Sequence, residues 1–193
     1  TTAWNAIRAA DVGPGSVVVL LGTGGVSILT LQLAKAAGAT VVITSSSDDK
    51  LERAKALGAD HLINYRTTPD WDAKVLELTD GIGADLIVET GGSATFARSI
   101  NAAASGGTVF TIGFVTGTEA TANLLPIIVK ALKVVGNNTG SVSDLRDAAR
   151  AIAAARIEPV IDRVYSQDQA AEAYAHMAAG GRHFGKLAFT LSW

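Results

Sequence analysis

Three glycines fall within the six residues Gly22-Thr23-Gly24-Gly25-Val26-Ser27, between an apolar run and a stretch of helical spacing. The chemistry that such a turn can do is to hold an anion. Gly22 permits a tight turn, Gly24 lets a backbone come close to a pyrophosphate, and the first amides of the following helix are left unpaired. The run before the turn, Val17-Val18-Val19-Leu20-Leu21, is continuously apolar, as a parallel strand buried on both faces must be. After it, Ile28, Leu29, Leu31, Leu33 and Ala34 continue as a helix up to Gly38. Residues 16–38 therefore read as the opening of a dinucleotide-binding βαβ unit, with Gly22, Thr23, Gly24, Gly25 and Val26 as candidate cofactor contacts. Ser27 stands where the third glycine of the G-x-G-x-x-G pattern belongs, which loosens the match. A glycine turn that serves only helix packing is the plainer alternative.

The residues that would meet the adenosine ribose lie at the tip of the second strand, 41–44. Folds that prefer NAD place an Asp or Glu there to accept from the ribose hydroxyls. Here the tip is Ser45-Ser46-Ser47. Asp48 and Asp49 lie past it and suit the first turn of the next helix, where carboxylates favour the dipole. A tip without a carboxylate does not repel a 2′-phosphate, so Ser45 and Ser46 become candidates for holding one.

The elements that must position these residues alternate along the chain. Apolar strands at 41–44, 61–64, 86–89, 108–112 and 133–135 are separated by helical stretches at 51–57, 96–103, 124–131 and 144–155. This predicts an α/β fold, a doubly wound parallel sheet of Rossmann type with helices on both faces. The tail differs. Residues 160–165 read as a half-buried strand, Ser166 with Gln169 as a capping box, and 170–179 as a helix of small residues ended by Gly180-Gly181. The last strand, 186–191, is expected to need a partner outside this chain. Gly180 to Lys186 has the spacing of a phosphate-binding P-loop, but Leu187 replaces the required Ser or Thr and the segment leads into a strand.

Composition sets the outer bounds. With 193 residues, 48% hydrophobic content and a mean hydropathy of +0.29, the chain can bury one good core. A net charge of -2 with scattered basic residues predicts no nucleic-acid partner. The chain contains no cysteine, so disulfides and cysteine-ligated metal are excluded within it. No apolar stretch of spanning length is free of Gly, Pro or charge, so no membrane partner is expected and a cytoplasmic location is the default. Thr1 opens on what reads as a helix already under way, the expectation being a fragment of a longer protein. His61, His176 and His183 read as a strand, a helix-surface and a loop residue rather than catalytic groups.

With the elements placed, the chain resembles the medium-chain dehydrogenase/reductase superfamily, in its zinc-type alcohol dehydrogenase and quinone oxidoreductase branches. The carriers are Thr2-Ala3-Trp4, the turn from Gly22 to Ser27, Lys55-Ala56-Leu57-Gly58-Ala59-Asp60, Ile63-Asn64-Tyr65, Gly106-Gly107 and Phe184-Gly185-Lys186. The resemblance implies a dinucleotide-binding domain over 1–156. It also implies a segment, 157–193, that would return to a catalytic domain outside this chain, so no catalytic or metal-binding residue is carried over and zinc would enter only through that missing domain. Lys50 and Tyr65 match positions beside the 2′-phosphate in relatives that use NADPH, which favours NADP over the alternative, NAD; a solvated helix lysine and a strand-end aromatic are the plainer readings. Thr90-Gly91 and Gly113-Phe114-Val115 follow two later strands and would border the nicotinamide half, unless they are plain glycine turns. Lys186 matches a basic position that reaches the cofactor, or is an exposed strand charge.

The function implied is the cofactor-binding portion of an NAD(P)-dependent oxidoreductase. It would move hydride between nicotinamide and a small-molecule substrate, an alcohol, carbonyl or activated alkene. The resemblance further implies a homodimer joined at the edge strand Lys133-Val134-Val135-Gly136. A dinucleotide-binding sensor or interaction module without turnover is the alternative, and a glycine-rich methyltransferase a weaker one.

Overall fold

Valine-rich runs build the sheet. In the computed structural model, which describes residues 1–191, six parallel strands are β1 (Val17–Leu21), β2 (Thr40–Ser45), β3 (His61–Asn64), β4 (Ala84–Glu89), β5 (Ala103–Thr111) and β6 (Lys133–Gly136). Their order is β3-β2-β1-β4-β5-β6, so the direction of winding reverses between β1 and β4. In open α/β sheets that reversal opens a crevice beyond the carboxyl ends of the strands. The doubly wound fold expected from the alternation is the one observed.

Strand side chains alternate between faces, and the two faces feed separate cores. Val18 and Leu20 of β1 join Ile28, Leu31, Val41, Ile43 and Phe110 on one side, while Val19 and Leu21 join Val42, Ile63, Trp71, Val75 and Val109 on the other. A strand buried in this way has no polar face, which explains the unbroken apolar run of β1. The helices that cover the sheet are α1 (Thr2–Ala9), α2 (Gly25–Ala36), α3 (Asp48–Ala56), α4 (Trp71–Leu78), α5 (Phe96–Ala102), α6 (Leu124–Val129) and α7 (Val142–Ala154).

Helix α4 is absent from the sequence reading. Its apolar positions, Trp71, Val75 and Leu78, do recur at helical spacing, but they sit in a short polar segment with no capping hydrogen bond to announce it. Strand β5 starts at Ala103 rather than near Thr108, and its pairing with β4 shifts register between Ala84 and Leu86. Elsewhere the expected elements differ from the observed ones by a few residues at their ends.

The tail corrects a further expectation. Its strands are β7 (Ile161–Ser166) and β8 (Lys186–Thr190), which pair with each other in parallel, so β8 finds a partner inside the chain. The expected capping box is present, with Ser166 and Gln169 flanking a single 3-10 turn before α8 (Ala170–Ala178). Gly180 and Gly181 then take left-handed backbone, at φ of 61° and 58°, and turn the chain back toward the sheet. There Gly185 N donates to Thr23 O at 3.0 Å, which fastens the tail to the glycine turn. The expected returning segment, 157–193, ends in two residues that lie outside the described ones. Among the described residues no helix is long and apolar enough to cross a membrane.

Leu20 is fully buried between α2 and the neighbouring strands. Leu20→Ala should therefore lower unfolding free energy by about 2–5 kcal/mol in chemical denaturation. A loss below ~1 kcal/mol would mean that the packing around β1 closes over the gap.

Candidate functional site

The site begins where β1 stops. Gly22 has a φ of 75°, in the left-handed region that favours glycine, and open space surrounds the positions where side chains at Gly22 and Gly24 would start. Gly24 is the N-cap of α2, with extended backbone and no side chain bonded to the helix amides. Those amides keep their donors and the positive end of the helix dipole for a ligand. At Gly25 the Lys186 side chain runs across the first residue of α2, its Cε 2.5 Å from where a Cβ would start, so a larger residue there would displace the lysine's flexible end.

Ser27 fastens the turn. It is buried, and its hydroxyl donates to Leu21 O at 2.9 Å, as does the Thr90 hydroxyl at the same distance. One carbonyl at the end of β1 therefore ties together the glycine turn and the loop after β4. The serine that weakens the sequence motif holds the conformation that the motif requires.

Beyond these strand ends lies a cleft of about 640 Å³. Its walls include Gly22, Thr23, Gly24, Gly25 and Val26 from the turn, Ser45, Ser46, Lys50 and Tyr65 from the tip side, and Thr90, Gly91 and Val115 from the later loops. The structure thus brings together most of the residues singled out in the sequence. Gly113 and Phe114 instead line a neighbouring cavity of about 630 Å³ with Thr111 and Asn137. Gly113 lies against the Thr90 backbone, where a Cβ would clash. Lys186 lies along Gly25 at the end of the turn.

At the tip, Ser47 caps α3 and its backbone N donates to Ser45 Oγ at 3.3 Å. Asp48 and Asp49 occupy the first turn of that helix, as their spacing implied, and Asp48 accepts from Asn64 Nδ2 at 2.7 Å. The carboxylates therefore serve the helix, and the tip in the cleft is hydroxyl. Lys50 Nζ donates to the carbonyls of Gly181 and His183. Burial pushes its pKa below the usual lysine range, with Asp162 opposing the shift.

Several wall residues were invisible to sequence reasoning, among them Trp71, Thr95, Arg98, Gly181 and His183. Arg98 is held by Asp72 at 2.6 Å and Asp70 at 3.0 Å, and Asn101 donates to Asp72 at 2.7 Å. Burial pushes the Asp72 carboxyl up, but the bonds from Asn101 and Arg98 outweigh it and hold the pKa below the ordinary value. The helical spacing of Trp71, Val75 and Leu78 was the available signal for this wall. Nothing local marks Gly181 or His183.

Of the histidines, His61 is in β3, His176 is hydrogen-bonded through Nδ1 to Tyr165 Oη at 2.6 Å, and His183 is a loop residue in the cleft wall. Burial, followed by the nearby Lys50 ammonium, pushes the His183 pKa down. Among the described residues no group of three or more His, Asp or Glu side chains is placed to hold a metal ion.

Glu89 sets the loop after β4. Its carboxylate is fully buried and accepts from Gly91 N at 2.7 Å, Gly92 N at 2.9 Å, Thr95 Oγ1 at 2.6 Å and Ser99 Oγ. These donors take the place of a cation partner and fix Thr90 and Gly91 at the cleft wall.

Comparison with known proteins identifies the chain's relatives. The family model described as zinc-binding dehydrogenase matches residues 25–154. A zinc-type alcohol dehydrogenase-like protein from Schizosaccharomyces pombe is 45% identical, aligned over 96% of this chain and 56% of its own length. Sorbitol dehydrogenase from Halalkalibacterium halodurans is 35% identical over 75% of this chain and 43% of its own. Among solved structures, an NAD-dependent alcohol dehydrogenase superposes with a TM-score of 0.89 at 36% identity, covering 99% of this chain and 56% of that one. A quinone oxidoreductase from Pseudomonas syringae pv. tomato DC3000 does so with a TM-score of 0.84 at 29% identity, covering 98% of this chain and 61% of that one. The chain spans about half the length of the curated relatives it matches.

Glu89→Gln replaces one acceptor oxygen by a donor facing other donors. It should lower stability by about 1–3 kcal/mol and speed amide exchange at Gly91 and Gly92. Unchanged denaturation and exchange would show that these bonds do not hold the loop.

Proposed function

Since the chain belongs to the zinc-binding dehydrogenase family, within the medium-chain dehydrogenases/reductases, we propose that it is the cofactor-binding portion of an oxidoreductase that uses NADP, with NAD as the weaker ligand. The observation that carries this reading is the pairing of uncapped α2 amides with a hydroxyl tip in one cleft. The amides of residues 24–26 would hold the pyrophosphate, and Ser45, Ser46, Lys50 and Tyr65 the 2′-phosphate. Thr90, Gly91 and Val115 would border the nicotinamide half, with Gly113 and Phe114 beside it, and Lys186 would reach the cofactor from the tail. When bound, the nicotinamide supplies the hydride chemistry. The chain's own residues bind and orient it. The choice of NADP rests on the tip, because one of the similar structures is named NAD-dependent.

On this reading the substrate is an alcohol, carbonyl or activated alkene met in a catalytic domain outside the chain, where any zinc would also sit. Residues 1–156 form the dinucleotide-binding domain, and 157–193 return toward that partner. Exposed Val164, Tyr174 and Phe189 give the segment an apolar surface to do so. A cytoplasmic location remains the default for such an enzyme.

Isothermal calorimetry should show tighter binding of NADPH than of NADH. Lys50→Ala should weaken NADPH by roughly ten- to a hundredfold and leave NADH nearly unchanged. An NADH preference in the unmodified chain would overturn the cofactor assignment, and equal losses for both would remove Lys50 from the phosphate.

A homodimer joined along β6 is part of the same proposal. The outer edge of β6 is open, Val134 is half-exposed, and Leu124, Leu125, Ile128 and Val129 of adjacent α6 are all exposed. Pairing with a second copy would satisfy the edge donors and cover that apolar surface. Light scattering should report a dimer at micromolar concentration that Val134→Pro disrupts by removing a ladder donor. A monomer, or a dimer that survives the proline, would contradict it.

A further inference from the structure

The Lys50 ammonium is bonded to a part of the chain far from it in sequence. Its partners, the carbonyls of Gly181 and His183, lie 131 and 133 residues downstream on the loop between α8 and β8. That loop is held from several directions. Arg53, one turn along α3, stacks its guanidinium 4.2 Å from the centre of the Phe184 ring and pairs with Asp162 of β7 at 2.9 Å. At the far end, Gly185 N is bonded to Thr23 O in the glycine turn. Lys50, Gly181 and His183 all line the cleft that contains Ser45, Ser46 and Tyr65.

An ammonium has three N–H donors, and two are committed to these carbonyls. The third remains for a ligand. A lysine tethered in this way has already lost the rotamer freedom that a free one would surrender on binding phosphate. Breaking away from the loop would forfeit two charged hydrogen bonds to gain one, so the favourable course is to keep both and donate the third hydrogen.

We propose that residues 180–185 form the positioning element of the 2′-phosphate subsite, holding the Lys50 ammonium beside the serine tip through the Gly181 and His183 carbonyls. Selectivity between NADP and NAD is then set by the C-terminal segment as well as by the second strand. The inference rests on the NADP reading above and adds to it a residue-level device. Burial lowers the Lys50 pKa, and a phosphate dianion relieves that shift by supplying the counter-charge.

The test alters the loop and leaves the lysine in place. Gly180 and Gly181 both have left-handed backbone, so Gly180→Ala with Gly181→Ala strains the loop and shifts its carbonyls. The ratio of NADH to NADPH dissociation constants, measured by calorimetry on the 193-residue chain, should fall at least about fivefold. Lys50→Ala added to the loop variant should lower it little further, because the two changes act on one ammonium. A preserved ratio, or fully additive losses, would overturn the positioning role and leave the NADP reading intact. A preference of the unmodified chain for NADH would overturn both. Hydrogen exchange on the unmodified chain is the check if the loop variant fails to fold. NADPH should protect residues 180–185 more strongly than NADH does, and equal protection would overturn the proposal.

Discussion

The first amides of α2 have no capping side chain, and the walls of the cleft converge on them. A helix end without caps is unfavourable unless something else accepts its hydrogen bonds. Here the sheet delivers that end to a crevice, because winding reverses between β1 and β4 directly beneath it. The Leu21 carbonyl, accepting from both Ser27 and Thr90, fastens the turn to the loop after β4. The site is therefore organised by backbone groups and hydroxyls, and positive charge enters through Lys50 of α3 and Arg98 of α5, with Lys186 of β8 lying along Gly25.

The buried Glu89 extends the same logic on the other side of the crevice. A carboxylate with several short hydrogen bonds and no cation is stable only while its donors stay converged. Those donors belong to the loop after β4 and to the start of α5, so the loop cannot wander without exposing an unmet charge. On the same helix α5, Arg98 is restrained by ion pairing with Asp72 and Asp70, which links α4 to α5. Each wall is fixed by groups that do not themselves need to touch a ligand.

Much of this was legible in the sequence, for a physical reason. Strands buried on both faces must be apolar throughout, so β1 and the core of β4 announce themselves, and the glycines between β1 and α2 locate the turn. Spacing also placed Asp48 and Asp49 correctly on α3 rather than at the tip. What stayed hidden was tertiary. Trp71 needs only two further apolar residues at helical spacing to seat α4, too faint a pattern in a polar stretch. Gly181 and His183 reach Lys50 across more than half the chain, and no local pattern encodes that meeting. Gly113 passes close against the Thr90 backbone, a tertiary contact that periodicity does not express.

The tail also changes how the domain is to be seen. Through Gly185 on the glycine turn and Lys50 on the 180–185 loop, the C-terminal segment touches both the glycine-turn end and the strand-tip end of the cleft. A ligand lying between them would report on all three parts at once. The most direct measurement is an amide NMR titration of the labelled chain with NADPH. The account predicts the largest shifts at Gly24, Gly25 and Val26, where the uncapped amides would meet the pyrophosphate. Saturable binding that leaves those three amides unmoved while others shift would contradict it.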